Sequence, residues 1–121
     1  MNARQAVNAE VTAMFGIVPT FMNQMADAAV VGLWQQTKSL NFPDDTELDS
    51  KTKALISLAV SAQIPCPCCT WLDTNAARRA GATDQEIAEA VAIAGHTRNM
   101  SATFAGLQVD FDQLKAELSG P

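Results

Sequence analysis

Apolar residues recur along this chain at helical spacing, and the stripes are interrupted by glycine, proline and short polar residues. Over residues 2–15, Ala6, Val7, Val11 and Met14 share one face of a predicted helix that Gly16 ends. Pro19 suits the first turn of a second helix, where a missing N–H goes unnoticed, and Phe21, Met22 and Met25 give that segment its apolar side. Asp27 is placed to cap a further helix from 28 to about 40, with Val30, Leu33, Trp34 and Leu40 as its stripe. Whether Asp27 divides one long helix into two stays open at this level. Residues 41–45 combine Asn41, Pro43, Asp44 and Asp45, a turn-forming loop.

Asp49 or Ser50 caps the next predicted helix, which runs to about 63. Its segment 54–60 is apolar almost all round, with Lys53, Ser57 and Ser61 as a thin polar stripe, the pattern of a helix buried between others. A helix opening at the cysteines runs to Ala80 and stops at Gly81. Thr83 and Glu86 then form a capping box, and Ile87, Ala90, Val91 and Ala94 supply a buried face. In the tail, Met100, Phe104, Leu107, Phe111, Leu114 and Leu118 make a heptad-like seam, which a cap at Asp110 would split. These side chains are expected to complete the core of the protomer, with a subunit interface as the alternative. The pattern predicts an all-α fold of six or seven helices in a single domain over residues 1–121.

Composition narrows the function. A length of 121 residues suits one domain, and 48% hydrophobic content without tyrosine favours packed helices over a sheet. A formal charge of −5 argues against nucleic acid and against an anionic membrane surface, and Arg78-Arg79 is the sole adjacent pair of cations. The first residues lack an apolar signal region, and no stretch approaches the roughly 20 apolar residues of a spanning helix. A soluble, cytoplasmic protein is expected. All three cysteines fall within residues 66–69, unlike the disulfide framework of a secreted domain, so redox chemistry or metal binding is indicated.

Cys66 and Cys69 form a C-x-x-C pair at a predicted helix start. Unpaired backbone N–H groups and the positive end of the helix dipole favour thiolate there, and one turn brings the two sulfurs close enough to pair. Asp73 lies four residues beyond Cys69 on the same face, as a general base or simply a solvated surface acid. Cys68 points to another face; free cysteines are usually buried, so a small buried hydrophobe is expected, with a strained vicinal disulfide as the alternative. His96, the only histidine, is expected to pack or face water, the alternative being a base that folds back toward the cysteines. Zinc on Cys66, Cys69 and His96 would lack a fourth ligand, so neither a metal nor a cofactor is expected.

The helix over residues 48–60, the Cys66–Cys69 pair at a helix start, the turn over residues 80–90 and the segment 14–21 together resemble the carboxymuconolactone decarboxylase superfamily, specifically its alkylhydroperoxidase D-like (AhpD-like) branch. The resemblance implies an all-helical fold assembled into homo-oligomers, commonly trimers or hexamers. It also implies thiol-dependent reduction of hydroperoxides. By the family pattern Cys69 attacks the peroxide, Cys66 resolves the sulfenic acid to a disulfide, and an external dithiol, from a thioredoxin-like or lipoyl-bearing protein, resets the pair.

The proton relay of the family is not reproduced. Its upstream glutamate falls at Ala54, its helix histidine at Asp73, and the position before the second cysteine is Cys68. A carboxylate at 73 repels a thiolate at 69 by roughly 3 kcal/mol at about 5 Å and an effective dielectric of about 20, before screening. That exceeds the roughly 0.3–1 kcal/mol of an exposed helix dipole, so Cys66 rivals Cys69 as the nucleophile. Two other readings remain. One is a non-enzymatic redox-sensing or assembly module on the same scaffold. The other is the lactone decarboxylase chemistry that names the superfamily, which a single histidine and Ala54 support weakly.

Overall fold

A computed structural model describes residues 1–120 and contains seven α-helices and no strand among them. The chain falls into two compact units, residues 1–50 and the chain from Lys51 onward.

The first unit holds α1 (Ala3–Phe15), α2 (Thr20–Gln24) and α3 (Asp27–Gln36), the last continuing into a π-helical turn, Thr37–Asn41. Asn2 and Gln5 form a capping box that satisfies donors at the start of α1, and Gly16 ends the helix at φ 79°, a conformation that suits a residue without Cβ. Asp27 does not cap α3; Ala26 stands at that position, and the Asp27 carboxylate instead accepts from Arg4 Nε at 2.7 Å. The same guanidinium donates to the carbonyl of Met22, which also accepts from the Met25 N–H, and to the carbonyl of Met25. The helical run therefore breaks between α2 and α3.

Val7, Val11, Met22, Val30 and Trp34 form the core of this unit, with Val18, Met25 and Val31 packed against it. The predicted stripes are thus narrower in the fold. Ala6, Met14, Phe21, Leu33 and Leu40 are exposed, because one seam alone of each helix is covered. Trp34 packs edge-to-face with Phe42 at 5.8 Å between ring centroids and with Phe15 at 6.4 Å. Its indole N–H donates to Glu10 Oε2 at 2.7 Å, and Lys38 Nζ donates to the same oxygen at 2.6 Å. The bond from Lys38, and then that from Trp34, hold the Glu10 carboxyl below its ordinary value of 4.5.

The second unit is built from α4 (Ser50–Gln63, beginning at the boundary), α5 (Pro67–Arg79), α6 (Asp84–Gly106) and α7 (Phe111–Leu118). Ala54, Leu58 and Ser61 form the buried seam of α4, one residue per turn, whereas Ile56 and Val60 are exposed. The helix is therefore covered on one side, not sandwiched as its composition suggests. Ser61, expected on the polar stripe, is buried, and its hydroxyl is satisfied by donating to the Leu58 carbonyl at 3.0 Å.

Between α5 and α6, Gly81 takes φ 93° and the Thr83–Glu86 capping box forms in both directions, at 2.9 and 3.0 Å. Lys51 Nζ pairs with Glu86 at 2.8 Å. That bond first, and then the Thr83 N–H, lower the Glu86 carboxyl from its ordinary 4.5. Of the face expected on α6, Ala94 is buried, Ile87 and Ala90 are half-buried, and Val91 is exposed.

The tail seam is split as its sequence allows. Asp110 caps α7, its side chain accepting from the Asp112 N–H. The expectation that this seam closes the protomer's core is overturned: Met100, Phe104, Leu107, Phe111 and Leu118 are all exposed and Leu114 is half-buried. Among the described residues no helix is long and apolar enough to cross a membrane.

Candidate functional site

The cysteines sit where the chain leaves α4 and enters α5. Long-range contacts hold the end of α4: Gln63 Nε2 donates to the Ala94 carbonyl of α6, and Arg98 Nη1 donates to the Gln63 backbone carbonyl and to its Oε1, at 3.1 and 3.0 Å. The turn that follows is closed by the Cys66 N–H donating to the Ser61 carbonyl at 2.9 Å. Pro67 occupies the first position of α5, where a helix has no use for its N–H, and leaves Cys66 as the N-cap in extended conformation (φ −134°, ψ 103°).

From that position Cys66 does what a serine or aspartate cap does. Its Sγ accepts the backbone N–H of Cys69 at 3.2 Å, and its carbonyl accepts from the Thr70 N–H at 2.9 Å. Cys66 and Cys69 are joined as a disulfide across 5.3 Å between their Cα atoms, and both are half-buried. A reversible bond between cap and third residue is thus compatible with an intact helix start.

The other sequence candidates separate. Cys68 is free and exposed, not the small buried hydrophobe expected of it, because the second position of α5 faces away from the packed side. Asp73 lies one turn beyond Cys69 on α5 and is half-buried. His96 is exposed on α6. Ala54, at the position of the family's glutamate, is buried in the α4 seam.

A groove of about 410 Å³ opens beside the disulfide. It is lined by Pro65 and Cys66 from the turn into α5 and by Pro67, Thr70, Trp71, Thr74, Asn75 and Arg78 of α5 itself. Neither Cys69, Asp73 nor His96 lines it. Trp71 is 68% exposed there, and Asn75 Nδ2 is held by the Trp71 carbonyl at 2.8 Å. The sequence reading passed over these residues, although their spacing of three and four is the signal that places them on one helix face.

A helical domain with a disulfide-bonded cysteine pair across a helix N-terminus is the class that fold and site define. The chain belongs to the carboxymuconolactone decarboxylase family, whose family model matches residues 23–110. Its fold is AhpD-like. It is similar to the crystal structure of the alkylhydroperoxidase AhpD core from Rhodospirillum rubrum, with a TM-score of 0.77 and 30% sequence identity, covering 93% of this chain and 85% of that one. It is also 43% identical over 54 residues to "Uncharacterized protein 4 in cox locus" of Paracoccus denitrificans, over 45% of this chain and 49% of that protein. The chain thus matches about half the length of that curated relative.

Proposed function

We propose that the protein reduces hydroperoxides through a dithiol–disulfide cycle of Cys66 and Cys69. The reading is carried by the bonded pair at the N-terminus of α5 in a chain similar to an alkylhydroperoxidase core. One thiolate attacks the O–O bond, releasing an alcohol and leaving a sulfenic acid. The second thiol condenses with it, forming the disulfide and releasing water. An external dithiol, as a thioredoxin-like or lipoyl-bearing protein would supply, returns two electrons and two protons by thiol–disulfide exchange. The working form is a homo-oligomer, a trimer or hexamer by family likeness, for which the exposed apolar residues of the tail provide surface.

Peroxide titration of the reduced protein tests the cycle. Two thiols should disappear per peroxide consumed, mass mapping should place the new disulfide between residues 66 and 69, and dithiothreitol should restore both. Consumption at the wild-type rate by Cys66→Ser or Cys69→Ser would remove the proposal.

The replaced relay groups, Ala54 and Asp73, favour one further reading: a redox-sensing assembly module that changes oligomer size on oxidation without turnover. Lactone decarboxylation would require carbon dioxide release from a muconolactone that survives thiol alkylation.

A further inference from the structure

The groove beside the disulfide has a direction. Its lining runs along α5 from the cap residue Cys66 to Arg78 near the helix end, with Thr70, the exposed Trp71 and Thr74 between them in the helix. Twelve residue steps separate Cys66 from Arg78, about 18 Å along the axis, and an arginine side chain leaning toward the helix N-terminus shortens that span. A volume of about 410 Å³ falls within the roughly 300–1,000 Å³ typical of small-molecule sites.

Arg78 is available for a ligand. Among the described residues its one ionic partner is Asp84, which meets Nε at 3.7 Å from an almost fully exposed position. That long contact leaves the Nη1 and Nη2 edge free for the two parallel bonds by which guanidinium takes a carboxylate. Cys66 is the sole sulfur lining the groove, and the Cys69 N–H pointing at its Sγ stabilises negative charge there once the disulfide is reduced. Asp73, which opposes a thiolate at Cys69, does not line the groove.

We propose that the groove binds a long-chain hydroperoxide ending in a carboxylate, a fatty-acid hydroperoxide in chemical class, with the carboxylate on Arg78, the chain along Trp71 and the peroxide over Cys66. The inference rests on the peroxidase reading and assigns the first attack to Cys66, the reverse of the order that family resemblance implies. The Cys66 thiolate attacks the terminal peroxide oxygen, the O–O bond breaks, and the departing alkoxide takes a proton to become the alcohol. Cys66 is left as the sulfenic acid. The Cys69 thiol then attacks that sulfur, forming the S–S bond and expelling water, and the dithiol donor reduces the pair.

The test uses the full chain with a linoleic acid hydroperoxide, its methyl ester and cumene hydroperoxide, measuring kcat/KM for each. The acid should be preferred over the ester by about tenfold, and Arg78→Gln should bring that ratio to about one, with Arg78→Lys intermediate. Arg79→Gln, at a neighbouring cation that does not line the groove, should retain the preference and controls for folding. Dimedone trapping in Cys69→Ser should label Cys66, and Cys66→Ser should give no rapid adduct. Equal rates for acid and ester, or rapid labelling confined to Cys69, would overturn the groove assignment while cumene hydroperoxide turnover leaves the peroxidase reading standing. Loss of no thiol with any of the three would remove both.

Discussion

The two compact units bury different things. In the first, a tryptophan, three valines and a methionine form one cluster; at its margin Glu10 bridges Trp34 and Lys38 and Arg4 gathers Asp27 with the carbonyls of Met22 and Met25, while Asn8 Oδ1 is buried without a hydrogen-bond partner. In the second, the buried apolar residues are Ala54, Ala77, Ala94 and a single bulky one, Leu58, while Ile93, Leu107, Phe111 and Leu118 stand exposed. Apolar burial is the main favourable contribution to folding, so the units differ in the bulk of what they bury, while each leaves large apolar side chains exposed: Met14, Phe21 and Leu33 in the first, the tail residues in the second. The disulfide lies in the second. A helix start that must admit a reactant and change its bonding gains from few bulky neighbours, whereas a framework gains from many.

The largest effect expected from this contrast is on activity. Cys66→Ser or Cys69→Ser should lower peroxide turnover by about a hundredfold or more in a coupled assay, with the helical circular dichroism retained. Turnover within a fewfold of wild type would place the chemistry elsewhere. Next come the cores. Trp34→Ala removes the centre of the first cluster and the donor to Glu10, and should cost about 3–5 kcal/mol in urea unfolding. Leu58→Ala should cost about 2–5 kcal/mol, as among the described residues the second unit has no other large fully buried side chain to redistribute the packing. If Leu58→Ala were silent while Trp34→Ala was not, the second unit would be held by contacts outside the protomer.

The exposed tail gives a smaller, assembly-level effect. Phe111→Asp combined with Leu118→Asp should reduce the mass seen by light scattering from a multiple of 12.9 kDa to the protomer's own 12.9 kDa. An unchanged mass would separate this surface from the interface.

The smallest effect expected is in acid. Glu10 and Glu86 have carboxyls below their ordinary value, held by Lys38 and Lys51 respectively. A group depressed in the folded state stabilises it above the unfolded pKa of about 4.5, and that contribution fades as pH falls through the lower folded value. Glu10→Gln and Glu86→Gln should therefore lower the melting temperature slightly at pH 7 and flatten its decline below about pH 4.5. An unaltered acid limb in both variants would show that neither pair contributes.

Much of this was readable from the chain, for a common reason. The caps at Thr83 and Asp110, the stops at Gly16 and Gly81, and the cysteine pair at the opening of α5 are set by residues within four positions of one another. Asn2 and Gln5 were the exception, a capping box present in the sequence but passed over. The site itself was legible as two cysteines and not as a groove, since the reading followed the sulfurs and not the face running from Pro67 to Arg78.

Sequence alone determined most helix ends, though not the cap of α3, and which two cysteines can pair, because hydrogen bonding at helix termini and the one-turn reach of a C-x-x-C pair are local. Tertiary structure decided which side of each helix is covered, since burial depends on what arrives from far along the chain. It left Ile56, Val60 and the tail seam in the open, buried Ser61, exposed Cys68, and brought Arg98 to fasten the carbonyl of Gln63 ahead of the cysteines.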